Sequence, residues 1–463
     1  MLRHKYIAKI KKLGLFRDVE SFTQIEEQIA GHSEDRNDRG DALEVFAEAF
    51  LILGFNAPYK SVYPENVLTT EHFKRLRIKV SSDNVRGIDG VLETHTGELH
   101  TYQVKFGSKG ETVPWNKLTG SDSASELADG LLVFTNLAQI DEDIAKKDYV
   151  YSVKKDFLST LTPDDFKRIE ELIYSEQITK KKEKIQLDSY QEEAVHSVLD
   201  KLKTDPRTQL IMPCGTGKTI VSQRIVEQME GAKVILIIVP TLQLLNDTFL
   251  NYFKNTSWES FPYICVGSKV IDGSAYDQVD LDPEELPFLS CTKPEPIKKF
   301  LGKDLERKVI FSTYDSMRVV AQALGKRQVD IAIFDEAHNT ASKKGNYWTF
   351  GLEDKNIRIN KRVFLTATPR KFQLRRKNEE DMRQVFSMDD PCVYGKVAYE
   401  LSFRTAAYDY EVICKYKIII SVISSEYYTR EDLKSADVLV GYSDVNAETI
   451  AKQIALVDAV EKN

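Results

Sequence analysis

A segment near the middle of the chain has the residue types and spacing of a phosphate-binding loop. Residues 209–219 read Gln-Leu-Ile-Met-Pro-Cys-Gly-Thr-Gly-Lys-Thr, an apolar stretch followed by a glycine-containing loop. Gly215 and Gly217, on either side of Thr216, would let backbone N–H groups approach the phosphates of a nucleoside triphosphate. A helix that begins directly after the loop would add the positive end of its dipole. The segment therefore predicts a triphosphate site with Gly215, Thr216 and Gly217 in its wall.

The two residues that end this loop supply the side chains that a bound triphosphate needs. Lys218 can reach the β- and γ-phosphates, and the Thr219 hydroxyl can bind Mg²⁺. The strict form of the motif has a glycine six residues before the lysine, where this chain has Met212. Taken alone, the segment could therefore also be a tight turn that precedes a helix.

An acidic segment farther along the chain could complete this site. Residues 331–334 form an apolar stretch that leads into Asp335, Glu336, Ala337 and His338. A carboxylate at the end of a buried strand, here Asp335, can hold Mg²⁺, and the adjacent Glu336 can polarise the attacking water. An isolated acidic pair in such a position is more often a solvated loop.

Two further segments favour catalysis over the solvated loop. The apolar residues 363–365 lead into Thr366-Ala-Thr-Pro369, and Tyr190-Gln191 lies upstream of the glycine-containing loop. Four segments of these types, in this order along the chain, predict one ATP site that uses Mg²⁺.

A second group of polar residues lies in the N-terminal part of the chain. Asp89 stands beside a predicted strand, and Gln103 and Lys105 lie on one face of the next strand because side chains alternate along a strand. A metal-dependent phosphodiesterase needs a carboxylate that holds Mg²⁺ and a lysine that orients water or neutralises charge. Glu44, on a preceding helix, could supply another acceptor. Each residue also has a structural interpretation: Asp89 as a turn former, and Gln103 and Lys105 as the solvated face of an edge strand.

The elements that would position both groups can be predicted from periodicity. Residues 41–53 have apolar residues at helical spacing before Gly54, and short strands follow at 88–92, 99–106 and 131–134. From about residue 186, apolar strands alternate with helical segments, which is typical of a parallel sheet with crossover helices. The predicted strands of this part are 209–212, 234–239, 309–312, 331–334 and 363–365. We therefore predict an α/β protein with a domain at 1–160, a linker at 161–185, a parallel-sheet domain at 186–385 and a further segment at 386–463.

Composition excludes several other classes of protein. The 463 residues are 42% hydrophobic and 29% charged, as in ordinary globular proteins. The formal net charge is −7, so nucleic acid would have to be bound by local basic patches such as residues 74–79 and 370–377. Apolar runs fall short of the roughly 20 residues that a membrane helix needs. The five cysteines form no CxxC pair, which is typical of a reducing cytosol, so we expect a cytoplasmic location.

The segments after residue 186 resemble those of superfamily 2 helicases and translocases of the DEAH type, in particular the helicase modules of restriction enzymes. Tyr190-Gln191 resembles the glutamine motif, 212–219 resembles motif I, 335–338 resembles motif II, and 366–368 resembles motif III. The resemblance implies a RecA-like fold, a contact between Gln191 and adenine, and a place for His338 in the ATP site. Residues 239–242 resemble motif Ia and residues 312–315 resemble motif Ib, which implies that both segments contact a DNA strand.

The end of the chain departs from that family. Residues 391–403 look like the bridge between the two lobes of such helicases, but after Arg404 the sequence has only Arg430, and neither arginine lies in an arginine-finger motif. We therefore expect an incomplete C-terminal segment that stops where the second lobe should begin. We also expect weak binding of ATP–Mg²⁺ and little hydrolysis.

The N-terminal group resembles PD-(D/E)xK nucleases of the Mrr restriction type, in which glutamine replaces the usual second acid. The resemblance covers about 38–158 and implies that Asp89 and Gln103 bind the metal while Glu44 and Lys105 assist the chemistry. A nuclease placed before the helicase recurs in type I motor subunits and in single-chain type ISP enzymes. Type III enzymes place it after the helicase.

These resemblances predict an ATP-dependent DNA translocase fused to a Mg²⁺-dependent DNA endonuclease that acts in restriction of foreign DNA. Its partners would be double-stranded DNA and methyltransferase or specificity parts in the same or another chain. One alternative is a repair or RNA helicase whose N-terminal domain only binds nucleic acid. Another is an inactive remnant that binds ATP without turnover.

Overall fold

Two main sheets form the framework of the computed structural model, which describes residues 2–32, 36–76, 87–107, 111–125, 128–175, 185–267, 281–371 and 385–415. The helices are α1 Ile7–Leu13, α2 Phe22–Gly31, α3 Arg36–Leu53, α4 Thr70–Arg75, α5 Thr119–Ser125, α6 Glu142–Ala145, α7 Lys155–Leu158, α8 Pro163–Ser175, α9 Ser189–Thr204, α10 Lys218–Gln228, α11 Leu242–Asn255, α12 Pro294–Gly302, α13 Met317–Leu324 and α14 Pro391–Tyr394. The strands are β1 Tyr59–Pro64, β2 Gly90–Thr94, β3 Leu99–Lys105, β4 Thr112–Val113, β5 Gly130–Thr135, β6 Gln139–Ile140, β7 Val150–Val153, β8 Arg207–Ile211, β9 Val234–Val239, β10 Tyr263–Val266, β11 Ser290–Cys291, β12 Lys308–Thr313, β13 Val329–Phe334, β14 Ile359–Thr366 and β15 Lys396–Glu400.

The chain divides into two compact units at residue 402. The first unit contains both main sheets. Of the second, residues 403–415 are described, and they contain a short π-helix at Thr405–Asp409. Most of the predicted C-terminal segment therefore lies outside the described residues.

The N-terminal sheet has the strand order β1-β2-β3-β5-β7. β2 pairs antiparallel with β1 and β3, whereas β5 pairs parallel with β3 and β7. β3 is therefore an inner strand, and all of its residues except Lys105 are buried. The interpretation of Gln103 and Lys105 as the solvated face of an edge strand is wrong, because β3 has a paired strand on each side.

α3 covers one face of this sheet, and the structure confirms the predicted helix over 41–53. Leu43, Phe46 and Phe50 are fully buried, and the Phe50 ring meets the Phe134 ring of β5 at a centroid distance of 5.2 Å. The helix ends at Gly54, whose φ of +67° is a left-handed conformation that glycine adopts without strain.

The predicted linker at 161–185 is wrong for half of its length. Residues 163–175 form α8, and its apolar face packs into the same core as α1, α2 and α3 through Phe166, Ile169, Leu172 and Ile173. Spacing of these residues at three or four positions is the amphipathic pattern that holds a helix against a core. The N-terminal fold therefore extends to about residue 175, and 176–184, which include the charged run, lie outside the described residues.

The second sheet has the order β11-β10-β12-β9-β13-β14-β8-β15, and its paired strands are parallel. The structure confirms the five strands predicted from apolar runs, as β8, β9, β12, β13 and β14. Their carboxyl ends share one edge of the sheet, which is where parallel sheets bind ligands. We expected the phosphate loop and the acidic segment to follow neighbouring parallel strands. This is wrong, because β14 lies between β8 and β13.

The two sheets are joined through α12 and the segment before it. Lys299 of α12 pairs with Asp129 at 2.6 Å, and Lys303 pairs with Glu98 at 2.8 Å. Beside these ion pairs, the buried side-chain amide of Asn56 donates to the backbone oxygen of Pro287 at 2.7 Å. Within the described part of the chain, no helix is long and apolar enough to cross a membrane.

Gly395 should be the least replaceable glycine of the second sheet. It has φ +72° and ψ 179°, and an added Cβ would lie 1.9 Å from the backbone oxygen of Arg207 in β8. We expect Gly395→Ala to lower the free energy of unfolding by about 3 kcal/mol or more in urea titrations. The cost of the strained backbone conformation and the cost of the clash with the Arg207 backbone are added together. Gly231→Ala is the matched control, because Gly231 has φ +74° with open space around it. Gly231→Ala should lower the free energy of unfolding by about 1–2 kcal/mol. Equal losses of stability in the two variants would show that the Cβ of Gly395→Ala does not clash with β8.

Candidate functional site

The glycine-containing loop joins the end of β8 to the start of α10. Gly215 and Gly217 both have φ +83°, in the left-handed region, and α10 begins at Lys218. A Cβ on Gly217 would lie 2.5 Å from the side-chain nitrogen of Gln191. Both glycines are therefore required by backbone conformation, and Lys218 and Thr219 lie in the first turn of the helix, where backbone N–H groups can bind an anion.

Tyr190 and Gln191 of α9 hold this loop from behind. The Gln191 amide nitrogen donates to the backbone oxygen of Thr216 at 3.0 Å, and the Tyr190 hydroxyl donates to the same oxygen at 3.2 Å. The Gln191 amide oxygen accepts from the backbone N–H of Asp188 at 3.0 Å. Gln191 is thus engaged with the protein at both ends of its amide, and its contact with adenine stays a prediction.

Asp335 and Glu336 follow β13 at the same sheet edge as the loop. The Asp335 carboxylate accepts from the backbone N–H of Glu336 at 2.9 Å. Burial raises its pKa to about 6, and the neighbouring Glu336 carboxylate adds to the rise, while Lys218 opposes it. The Lys218 ammonium lies 4.0 Å from the Glu336 carboxylate. Lys218, Asp335 and Glu336 are therefore brought together as predicted.

His338 connects the acidic segment to the end of β14. Its Nδ1 lies 3.3 Å from the Glu336 carboxylate and 3.1 Å from the Thr366 hydroxyl. The hydrogen bond from His338 lowers the pKa of Glu336, so this carboxylate is ionised near neutral pH. Glu336 itself has φ +46°, which is strained for a residue other than glycine and is common at functional sites.

Asp89 lies just before β2 and is held by the neighbouring strand. One of its carboxylate oxygens accepts from the backbone N–H of Val104 at 2.6 Å. Burial and, to a smaller extent, the Glu44 carboxylate raise the pKa of Asp89 to about 6, while the Lys105 ammonium opposes the rise. The charges of Glu44 and Lys105 both act on Asp89, so these three residues form one electrostatic cluster.

Gln103 precedes Val104 on β3, and the Val104 N–H is the group that binds Asp89. The Gln103 side chain is only 3% exposed, and its amide oxygen is buried without a hydrogen-bond partner. An unpaired buried oxygen suits a hard cation such as Mg²⁺, which prefers oxygen ligands. Among the described residues, no group of three or more His, Cys, Asp or Glu side chains could hold a metal. A metal here would therefore need the Gln103 amide beside Asp89 and Glu44.

Sequence reasoning missed His4 and Glu48, which both contact this region. The His4 ring nitrogen Nε2 lies 3.1 Å from the Glu44 carboxylate, and Glu48 accepts from the backbone N–H groups of Arg3 and His4 at 2.8 and 3.0 Å. The available signal was the pair of acids Glu44 and Glu48, one helical turn apart on the otherwise apolar face of α3. Nothing in the sequence could link them to the first residues of the chain.

The predicted basic patches are described only in part. Lys74 and Arg75 end α4, and Arg370 and Lys371 come shortly after β14. Residues 77–79 and 372–377 lie outside the described residues, so contacts between these patches and DNA stay predictions.

Replacing the buried carboxylate of Asp335 should stabilise the metal-free protein at high pH. Because its pKa is raised from an unfolded value near 3.8 to about 6, stability is lost as the pH rises through this range. The loss corresponds to about 3 kcal/mol. Asp335→Asn should therefore match the unchanged protein near pH 4 and exceed it at pH 7.5, measured by urea unfolding with chelator.

Asp330→Asn is the control, because Asp330 lies on β13, the strand that Asp335 follows. The Asp330 carboxylate accepts from the backbone N–H groups of Lys233 and Val234, both at 2.8 Å. Weakening these bonds should not stabilise the protein at pH 7.5. If Asp335→Asn were less stable than the unchanged protein at pH 7.5, the surrounding groups would stabilise the Asp335 charge more than its burial destabilises it.

The chain is similar in sequence to known proteins over residues of the second sheet, and similar in fold to a solved structure over most of its length. A family model described as "Type III restriction enzyme, res subunit" (ResIII) matches residues 184–371. "DNA 3'-5' translocase XPB2" of Sulfurisphaera tokodaii is 27% identical over 256 residues, 55% of this chain and 44% of that protein. The solved structure described as "ATP-dependent Type ISP restriction-modification enzyme LlaBIII bound to DNA" covers 83% of this chain and 25% of its own, with a TM-score of 0.61 and 22% identity.

These matches show that residues 184–371 are similar to a helicase-related family and that the chain shares a fold with a Type ISP enzyme. The chain spans less than half of the length of either relative. The ResIII match ends at residue 371 and begins at 184, so it includes the phosphate loop and the acidic segment but not the Asp89 cluster. Residues 184–371 therefore match the ResIII family model, within a chain whose fold resembles that of a Type ISP restriction enzyme.

Proposed function

We propose that the chain belongs to an ATP-dependent DNA translocase fused to a Mg²⁺-dependent DNA endonuclease, which acts in restriction of foreign DNA. The observation that carries the proposal is that one compact unit contains two similar clusters. Each cluster has a buried aspartate, a second acid and a lysine: Asp335, Glu336 and Lys218 in one, and Asp89, Glu44 and Lys105 in the other.

The first cluster suits hydrolysis of ATP. Backbone N–H groups of Gly215, Thr216 and Gly217 would surround the phosphates, with the Lys218 ammonium against the β- and γ-phosphates. Thr219 and Asp335 would hold Mg²⁺, which neutralises phosphate charge when bound.

Glu336 is the residue that fits the role of base in this cluster. Its lowered pKa keeps it ionised near neutral pH, so it can accept a proton from the water that attacks the γ-phosphorus. The bond from the γ-phosphorus to the bridging oxygen then breaks, and ADP leaves. His338 bonds both Glu336 and Thr366, so it can pass a change at the base to the end of β14.

The second cluster suits cleavage of a phosphodiester. Asp89 and the unpaired amide oxygen of Gln103 would hold Mg²⁺, Glu44 would supply a further oxygen, and Lys105 would orient water or neutralise charge. A bound cation would also relieve the mutual repulsion of Asp89 and Glu44, which raises the pKa of Asp89.

DNA is the nucleic acid that the comparisons favour. XPB2 is described as a DNA translocase, and the LlaBIII structure is described as bound to DNA. The net charge of −7 means that binding must come from local cationic segments and should weaken with salt. Methyltransferase or specificity parts, in the same or another chain, are the further partners that this function requires.

Lys218→Ala should weaken binding of ATP–Mg²⁺ by about tenfold or more, because hydrogen bonds to charged groups contribute about 1.5–3 kcal/mol. Binding would be followed with a fluorescent ATP analogue. Glu336→Gln should keep the affinity, since Glu336 acts on water and not on the phosphates. Lys201→Ala is the control for loss of a positive charge, because Lys201 lies on α9 and pairs with Asp205 just after that helix. Unchanged affinity in Lys218→Ala would refute the phosphate-loop assignment.

Asp89→Asn and Lys105→Ala should each abolish Mg²⁺-dependent nicking of supercoiled plasmid while leaving ATP binding intact. Asparagine keeps an acceptor for the Val104 N–H, so the fold should survive the first change. Lys60→Ala, on β1 of the same sheet, is the control and should cleave normally. Cleavage that persists in both variants would mean that the nuclease site lies elsewhere. DNA binding without any cleavage by the unchanged protein would support the alternative of an N-terminal domain that only binds nucleic acid.

A further inference from the structure

The first residues of the chain lie against α3 and are fixed there by their backbone. The Glu48 carboxylate is fully buried and accepts from the backbone N–H groups of Arg3 at 2.8 Å and His4 at 3.0 Å. A carboxylate is rarely buried this way unless it is hydrogen-bonded. Glu48 therefore fixes the backbone of Arg3 and His4. It lies one helical turn after Glu44.

A second set of contacts fixes the same segment from the opposite side. The Asn66 side chain donates to the backbone oxygen of Arg3 at 2.9 Å and accepts from the backbone N–H of Lys5 at 3.3 Å. The Arg3 guanidinium donates to the backbone oxygen of Val62 at 2.7 Å. Residues 3–5 are thus held on both sides without any contribution from the ring of His4.

The ring of His4 makes one contact with a side chain of the Asp89 cluster. It is 4% exposed, its Nδ1 accepts from the backbone N–H of Tyr6 at 3.4 Å, and its Nε2 lies 3.1 Å from a carboxylate oxygen of Glu44. Because Nδ1 accepts a hydrogen bond, the proton of the neutral ring is on Nε2, which donates to Glu44. One oxygen of Glu44 is therefore tied to His4.

The surroundings of Glu44 explain why its direction needs to be fixed. Its charge acts on Asp89 and also on the buried Tyr102 hydroxyl, which has no hydrogen-bond partner. Repulsion from the Asp89 carboxylate would turn a free Glu44 side chain away from the cluster. A donor on the outer side of Glu44 holds it in place.

We propose that His4 is a positioning residue of the nuclease site: its Nε2–H holds the Glu44 carboxylate beside Asp89, so that both can bind the divalent cation. This inference rests on the proposed nuclease function. Hydrogen bonds from outside a metal site to its ligands commonly change metal affinity by about 10–100-fold when they are removed. The role differs from that of Glu48 and Asn66, which fix the backbone of the segment.

Three substitutions at His4 separate positioning from packing. The amide nitrogen of glutamine reaches about as far as Nε2, whereas that of asparagine corresponds to Nδ1. With Mn²⁺ as the probe and titration calorimetry on the full chain, we expect His4→Ala and His4→Asn to weaken binding by about tenfold or more. His4→Gln should stay within about threefold of the unchanged protein. The site is identified as the Mn²⁺ binding that Asp89→Asn removes.

Plasmid nicking provides the second measurement. In His4→Ala and His4→Asn, the Mg²⁺ concentration for half-maximal nicking should rise by about tenfold, and saturating Mg²⁺ should restore most of the rate. His32→Ala is the control, because His32 is exposed and its ring contacts the backbone oxygen of Gln28 in its own helix α2. It should leave Mn²⁺ binding and nicking unchanged.

The outcomes distinguish this inference from the function on which it rests. Normal Mn²⁺ affinity in His4→Ala, with nicking intact, would overturn the role of His4 and leave the nuclease in place. Equal losses in all three His4 variants, with equally lowered melting temperatures, would assign the ring to packing and also overturn it. An unchanged protein that neither nicks DNA nor binds Mn²⁺ through Asp89 would remove the nuclease proposal, and the role of His4 with it.

Discussion

Both candidate sites depend on one constraint, which is the burial of an aspartate at or beside the end of a strand. Asp335 and Asp89 each have a pKa raised to about 6 by burial, with a second carboxylate that adds to the rise and a lysine that opposes it. The charge of such a group is costly until a cation reaches it. The surrounding hydrogen bonds, from the backbone N–H groups of Glu336 and Val104, fix the direction of each carboxylate before any ligand binds.

The two sites belong to one compact unit because α12 joins the sheets. Its ion pairs, Lys299–Asp129 and Lys303–Glu98, are partly exposed, and such pairs contribute at most about 1 kcal/mol each. The hydrogen bond from Asn56 to Pro287 is buried, so separating the two residues there would leave buried polar groups unpaired. The contacts of α12 and Asn56 therefore link the sheet that contains the phosphate loop to the sheet that contains Asp89.

The sequence predicted the parts of the fold that local patterns determine. The loop at 212–219, the acidic segment at 335–338 and the strands before them have apolar periodicity and fixed spacing, so both could be located. The position of β14 between β8 and β13, the docking of α8 and the contact of His4 with Glu44 depend on how distant segments pack. Periodicity carries no information on sheet order, and a charged stretch such as 161–185 can still contain an amphipathic helix.

Strand β3, which lies beside the N-terminal candidate site, contains several buried polar groups. An inner, buried strand is normally apolar, yet His100, Tyr102 and Gln103 each have a buried polar atom without a hydrogen-bond partner. Each such group costs about 1–3 kcal/mol relative to a satisfied one. Tyr102 and Gln103 point to opposite faces of the strand, so no single local rearrangement could satisfy both. The large apolar core formed by α1, α2, α3 and α8 with this sheet offsets these losses, and the docked first residues then complete the carboxylate cluster at the strand's end.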